Sequence, residues 1–292
     1  MPRTIMHRYK WQLGVIYMFE AKRDERLANK FIQDDSDRMF AGVVIGNNPG
    51  KVWVDCLENP TSAIVWSDSL QCFQFLGCAS NQAFCSEVKL FLENAIANNR
   101  SQEELFFFDF PSDEELWYPI VHNALADRYI QENWQYVYQS KSNSPEWTAH
   151  VISKPHCLHQ IDDSFLSSIR NDGIVSNPEF LLNYIQQYWG SLEDFLKIGY
   201  GYAAVDEGKI VSIAISSFVY KQTHSIGIET LEQYRRKGFA SSLVNMLLRT
   251  IYSKGCTVWW DCMDSNIASQ RTAESAGLVF HHKYKVCWYN FL

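Results

Sequence analysis

Among its eight cysteines the sequence has no Cys-x-x-Cys pair and no cysteine–histidine cluster at zinc-finger spacing, which removes the usual structural zinc sites. The nearest approach, His156-Cys157-Leu158-His159, reads as ordinary strand and loop, and no metal ligand set is assigned. There is no Gly-x-x-x-x-Gly-Lys-Ser/Thr loop, so a nucleotide-triphosphate enzyme of that type is discounted. Positive charge is in deficit: the formal net charge is −7, which gives no support for a face that holds nucleic acid through its phosphates. No apolar run is long enough to cross a bilayer; Trp11–Phe19 is too short, and no small-residue cleavage site follows it. The expectation is a soluble, cytoplasmic protein with reduced thiols and no membrane partner.

What is present is an ordinary globular balance, with 47% hydrophobic and 20% charged residues over 292 positions, and aromatics raised to 15%. That length suggests two domains. The clearest break is the polar, serine-rich stretch Ser140-Lys141-Ser142-Asn143-Ser144-Pro145, which divides the chain into 1–145 and 146–292.

The second half has the sharper pattern. Asp162 and Asp163 are placed to cap a helix from about Phe165, and Asn177-Pro178 to open another that carries Phe180, Leu181, Tyr184, Ile185 and Tyr188 on one face. Tyr200–Val205 and Lys209–Tyr220 read as strands joined by Asp206-Glu207-Gly208 in a hairpin. Ser225–Leu231 reads as a third strand, Gly238–Ser253 as an amphipathic helix, and Thr257–Cys262, Ile267–Ala276 and Lys283–Phe291 as strand, helix and strand. In the first half, Val43–Ile45, Lys51–Cys56, Ser62–Ser67 and Gln71–Leu76 read as short strands, Val88–Ala97 as helix, and Glu104–Phe110, Asp113–Leu125 and Trp134–Gln139 as strand, helix, strand. Both halves close on the same order of elements. Two readings stay open: a diverged internal duplication, or the common look of any α/β half-chain.

The chemistry concentrates in one turn. After the strand that ends near Leu231 come Arg235, Arg236, Lys237 and Gly238, and then the helix. A helix N-terminus holds amides with no intrahelical acceptor, and its dipole adds positive charge. Gly238 lets an anion approach the backbone. Three cations at a helix start oppose the dipole, and a bound phosphate or pyrophosphate relieves that conflict.

Arg235-x-x-Gly238-x-Ala240 resembles the Gln/Arg-x-x-Gly-x-Gly/Ala motif of the GCN5-related N-acetyltransferase (GNAT) superfamily. The later segments Asn266-Ile267-Ala268-Ser269 and Ala276-Gly277-Leu278-Val279-Phe280 resemble its Asn…Gly-Phe region. Trp259 to Asn266 is similar to a bacterial subgroup with an N-terminal half-length extension. The resemblance covers roughly residues 150–292 and implies a mixed, mostly antiparallel sheet flanked by helices in that half. The first half is then an α/β domain, with degenerate GNAT-like ancestry as one reading.

By that resemblance the chain is an N-acetyltransferase that moves an acetyl group from acetyl-CoA to an amine of a small molecule or peptide. The other reading is a non-catalytic acyl-CoA-binding regulatory module. The strands Ser225–Leu231 and Thr257–Cys262 are implied to splay, with Glu229, Thr230 and Leu231 along the pantetheine arm. Arg235, Arg236, Lys237, Gly238, Phe239, Ala240 and Ser241 match the pyrophosphate turn, and Asn266 and Ser269 the edge near the sulfur. The Leu231 amide is the oxyanion donor by position, and His224 and Glu229 are the candidate bases. Strand alternation sends those two to opposite faces, so one of them is structural. Many relatives carry a tyrosine that protonates the leaving thiolate; the matching position here is Ala273, with Tyr284 and Tyr289 as unplaced substitutes. The acceptor site is expected near Asn177–Gly199, where Tyr184, Tyr188, Trp189 and Phe195 are available either as lining or as core. The first half lacks a basic turn after Gln71–Leu76, so one cofactor per chain is expected.

Overall fold

The computed structural model describes residues 10–11, 14–15, 18–99, 105–110, 114–140, 157–171, 173 and 175–290. Most of the Ser140–Pro145 break therefore lies outside the described residues.

The chain forms two compact units, neither of them contiguous. One holds residues 1–46, 50–134 and 284–292; the other holds 47–49 and 135–283. The first contains β1 (Lys10–Trp11), β2 (Gly14–Val15), β3 (Phe19–Glu20), α1 (Glu25–Phe31), α2 (Arg38–Ile45), β4 (Gly50–Val54), β5 (Ser62–Ser67), β6 (Cys72–Gly77), α3 (Gln82–Asn99), β7 (Leu105–Phe110) and α4 (Glu114–Ala124). β8 (Ile130–Ser140) begins in it and ends in the second unit. The second continues with β9 (Leu158–Gln160), α5 (Asp163–Asn171), α6 (Pro178–Tyr188), α7 (Leu192–Ile198), β10 (Gly201–Asp206), β11 (Lys209–Tyr220), β12 (Thr223–Thr230), α8 (Phe239–Ser253), β13 (Thr257–Met263) and α9 (Ile267–Ser275). β14 (Leu278–Asn290) starts there and supplies Lys285–Asn290 to β7 of the first unit.

The fold is mixed α/β. Its described pairings are antiparallel except β6–β7 and β12–β13. Each unit repeats one plan: an antiparallel meander (β4–β5–β6 or β10–β11–β12), a helix, then a strand parallel to the last of the three.

Local chemistry explains the elements. Asp162 caps α5, its carboxylate accepting from Phe165 N at 2.9 Å, and Pro178 stands in the first turn of α6. Glu207 and Gly208 both take positive φ (47° and 71°), the two-residue hairpin turn between β10 and β11. In the second unit Leu243, Val244, Leu247, Leu248 and Ile251 of α8 pack on Val211, Ala214, Val258 and Trp260 on one face of the sheet. Leu181 and Ile185 of α6 pack on Ile213, Ile215 and Val219 on the other.

One sequence reading is corrected. Val43–Ile45 is the end of helix α2, not a strand. Asp37 accepts from the amides of Met39 and Phe40, Gly46 closes the helix at φ 94°, and Val43 and Val44 are buried against the core. A short β-branched run has no period long enough to separate strand from helix. Asp37 is itself fully buried, and burial pushes its carboxyl up to about 6.

A second feature had no local signal. Asn48, 1% exposed, belongs to the second unit. Its Nδ2 donates to the carbonyls of Tyr188 (3.0 Å) and Ser217 (2.9 Å), and its Oδ1 accepts from Val219 N (3.2 Å). It ties the end of α6 to the irregularity of β11 at Ser216–Phe218. Asn48→Ala leaves those backbone groups unpaired and is expected to lower stability by about 2–4 kcal/mol, read from urea denaturation; a loss under about 0.5 kcal/mol contradicts the clamp.

Candidate active site

The site is built on β12. It pairs with β11 along its length, but with β13 only through Thr223–Ser225 opposite Thr257–Trp259. From Trp260 to Met263, β13 is paired on its other edge, with β8. The two strands therefore part beyond Ser225 and Trp259. Leu231 N donates to Val211 O at 3.0 Å, and Thr230 lies opposite Ser212. In an antiparallel ladder the amides alternate sides, so Ile228 and Thr230 turn away from β11 and toward the gap.

This register corrects the oxyanion reading. The Leu231 amide is occupied by Val211, whereas that of Ile228 faces the side on which, among the described residues, β12 has no paired strand past Ser225. Thr230 N donates to the Glu229 carboxylate (3.1 Å), its carbonyl accepts from Arg235 Nε (3.2 Å), and Arg235 lies 3.5 Å from Glu229. Own side chains thus cover Thr230.

The turn after β12 remains open. Arg236 and Gly238 both take positive φ (62° and 84°), and α8 begins at Phe239, one residue later than the sequence suggested, with Gly238 in the cap position. A Cβ on Gly238 would meet nothing within 4 Å, so its backbone shape, not crowding, requires glycine. Ser242 N bonds back to Gly238 O, and among the described residues no acceptor is found for the amides of Arg236, Lys237, Gly238, Phe239, Ala240 or Ser241. Alternating residues of opposite φ bend such amides into an anion-binding concavity at a helix N-terminus. Lys237 stands over the Tyr234 ring at 4.6 Å. The first unit shows the contrast: in its turn Cys78 N donates to Thr61 O (2.8 Å), and the Asn81 side chain caps α3, its Oδ1 accepting from Phe84 N at 3.1 Å.

The remaining sequence candidates divide. Asn266 caps α9 through Ser269 N, and Ser269 Oγ accepts from Trp260 Nε1 at 3.0 Å, so both have roles in the fold. His224 is removed as a base. It is 3% exposed, stacked on Tyr200, and its Nδ1 lies 2.9 Å from Ser216 Oγ; burial pushes its pKa down to about 4. Ala273 is fully buried, while Tyr284 and Tyr289 belong to the core of the first unit. Trp189 and Phe195 are core, Trp189 Nε1 donating to Ser216 O at 2.9 Å.

Glu229, Gly227 and Ser225 share the face of β12 turned to α6. There a groove of about 570 Å³ is lined by Phe180, Asn183, Tyr184, Gln187, Glu229 and Leu231, among others. The Tyr184 hydroxyl stands 3.1 Å from where a Gly227 Cβ would be, closer than most side chains would allow without a shift. Burial and the neighbouring Tyr188 hydroxyl raise the Tyr184 pKa well above its ordinary value, so it stays protonated. The sequence reading missed this hydroxyl's position and the Ile228 amide; the period-2 alternation, anchored at Leu231, was the signal for the second.

A family model described as GNAT acetyltransferase matches residues 29–287. A curated relative, the uncharacterized N-acetyltransferase YdfB of Bacillus subtilis (strain 168), is 24% identical over 239 residues, covering 82% of this chain and 85% of the relative. A GCN5-related N-acetyltransferase-like protein from Streptococcus suis 89/1591 superposes with a TM-score of 0.60 at 18% identity, over 91% of this chain and 96% of that one. A tandem GNAT protein from the clavulanic acid biosynthesis pathway gives 0.54 at 8% identity, over 93% and 97%. At such identities the two structures speak for the fold alone.

His224 provides a pH test. Its folded pKa of about 4 lies below the ordinary 6.5, so the unfolded chain binds the extra proton first. Stability is full above about pH 6.5 and falls as pH drops toward 4, by up to about 3 kcal/mol. Thermal unfolding of His224→Gln should be less sensitive to pH across that window; equal sensitivity contradicts the assignment.

Proposed function

The chain belongs to the GNAT acetyltransferase family, and from that premise we propose that it transfers an acetyl group from acetyl-CoA to an amine of a small molecule or peptide. The observation that carries this is the open turn 236–241, whose amides find no acceptor among the described residues, with Arg235, Arg236 and Lys237 beside them in sequence. That donor set suits a diphosphate.

Bound acetyl-CoA supplies an activated acyl carbon. The Ile228 amide, facing the gap between β12 and β13, donates to the carbonyl oxygen as negative charge grows on it. The Glu229 carboxylate, on the wall of the groove, takes the ammonium proton directly or through water, and the amine nitrogen then bonds to the acyl carbon as the carbon–sulfur bond breaks. The Tyr184 hydroxyl, protonated and set against Gly227, donates to the departing sulfur, a role the buried Ala273 cannot fill. Asn183, Gln187 and Phe180 line the groove for the acceptor. Ala273 is also the observation that favours the second reading, an acyl-CoA-binding regulatory module without turnover.

A thermal-shift series with acetyl-CoA, longer acyl-CoAs and free CoA tests the reading. Ligand at about a hundred times its dissociation constant stabilises by about 2.7 kcal/mol. Arg236→Glu should lose that shift, and calorimetry should count one molecule per chain, because Asn81 closes the turn of the first unit. A normal shift in Arg236→Glu, or two molecules bound, overturns this assignment of the phosphates. Turnover with a panel of amines separates the enzyme from the regulatory module.

A further inference from the structure

Two buried polar groups meet where β12 and β13 part. Ser225 and Trp259 are the last register partners before the strands separate. They are 3% and 2% exposed, and among the described residues neither Ser225 Oγ nor Trp259 Nε1 has a hydrogen-bond partner. A buried donor without a partner is costly and uncommon, and at one position of a sheet two occur side by side.

Strand alternation gives their surroundings. Ser225 shares its face with Gly227 and Glu229, the face that meets the Tyr184 hydroxyl, and Trp259 shares it through the register. Phe218, opposite Ser225 on β11, packs edge-on against Tyr188, and the Trp259 ring packs edge-on against His282. Two positions along from the pair stand Gly227 on one strand and Asp261 on the other, with the gap between them. The charges of Glu229 and Asp261 both act on the Tyr188 hydroxyl. The carboxylates of Glu229 and Asp261 thus lie on the same face of the sheet as the two unpartnered donors.

Indole N–H donates and cannot accept, so the missing partner is an oxygen that accepts. We propose that Ser225 and Trp259 bind the carbonyl or carboxylate oxygen of the acceptor, and that this acceptor is an α-amino carbonyl compound: an amino acid, its amide or a peptide N-terminus. The carboxylates of Glu229 and Asp261 face its ammonium. This rests on the acetyl-transfer reading above and adds the substrate class to it.

The experiment compares glycinamide with 2,2-difluoroethylamine, an amine of similar basicity without a carbonyl, at saturating acetyl-CoA with the full chain. The intact protein should prefer glycinamide by about tenfold or more in kcat/KM, the scale of one well-made hydrogen bond. Ser225→Ala and Trp259→Phe should each lower the glycinamide-to-difluoroethylamine ratio about tenfold and keep the thermal shift with acetyl-CoA. Ser225→Ala should not lower the melting temperature, because the hydroxyl it removes has no internal partner. A ratio unmoved by both substitutions, or a fall of several degrees in Ser225→Ala, overturns the proposal. A protein that shifts with acetyl-CoA but acetylates no amine overturns the transferase reading itself, and the substrate class with it.

Discussion

A peptide group taken from water must find a partner, and the second unit breaks that rule along one line. β12 and β13 pair over three residues and then diverge, while β13 stays paired with β8 on its other edge. The divergence turns an ordinary sheet into a cleft. The Ile228 amide looks into it, Ser225 and Trp259 stand at its root, and the α8 amides stand at the end of β12. The packing of α8 and α6 on opposite faces stabilises strands that would otherwise gain by closing.

The first unit follows the same plan and reaches a different result. β6 and β7 also pair over only three residues, Cys72–Gln74 with Phe107–Asp109. There Phe75, just past the paired residues, stacks on Phe108 and packs at a tilt against Trp117. Asn81 caps α3 with its own side chain, using the amide of Phe84, whose counterpart Ser241 the second unit leaves open. One plan thus gives a packed core in one unit and a binding cleft in the other, and a few side chains make the difference.

Much of this was legible in the sequence, for reasons that can be named. Gly238 and the adjacent cations mark an anion site because few other roles need that combination at a helix start. The order of strands and helices in the second half followed from period and caps, as at Asp162 and Asn177-Pro178. The failures have physical causes too. Position at the end of the strand points to Leu231, whereas the direction of its amide depends on the pairing with Val211, a tertiary fact. His224 has the chemistry of a base, but burial beside Tyr200 and Ser216 lowers its pKa. α2 looked like a strand because Val43 and Val44 are β-branched, and its caps decided otherwise. Asn48 has no signal in its own neighbourhood, since its partners lie about 140 to 170 positions away in sequence.

The interleaving of the two units has a practical consequence. Residues 47–49 complete the later unit, and residues 284–292 complete the earlier one. A single cut in the polar stretch near Ser140 would therefore not yield two independent proteins. The C-terminal fragment would lose the Asn48 clamp on α6, and the N-terminal fragment would lose the strand that pairs with β7.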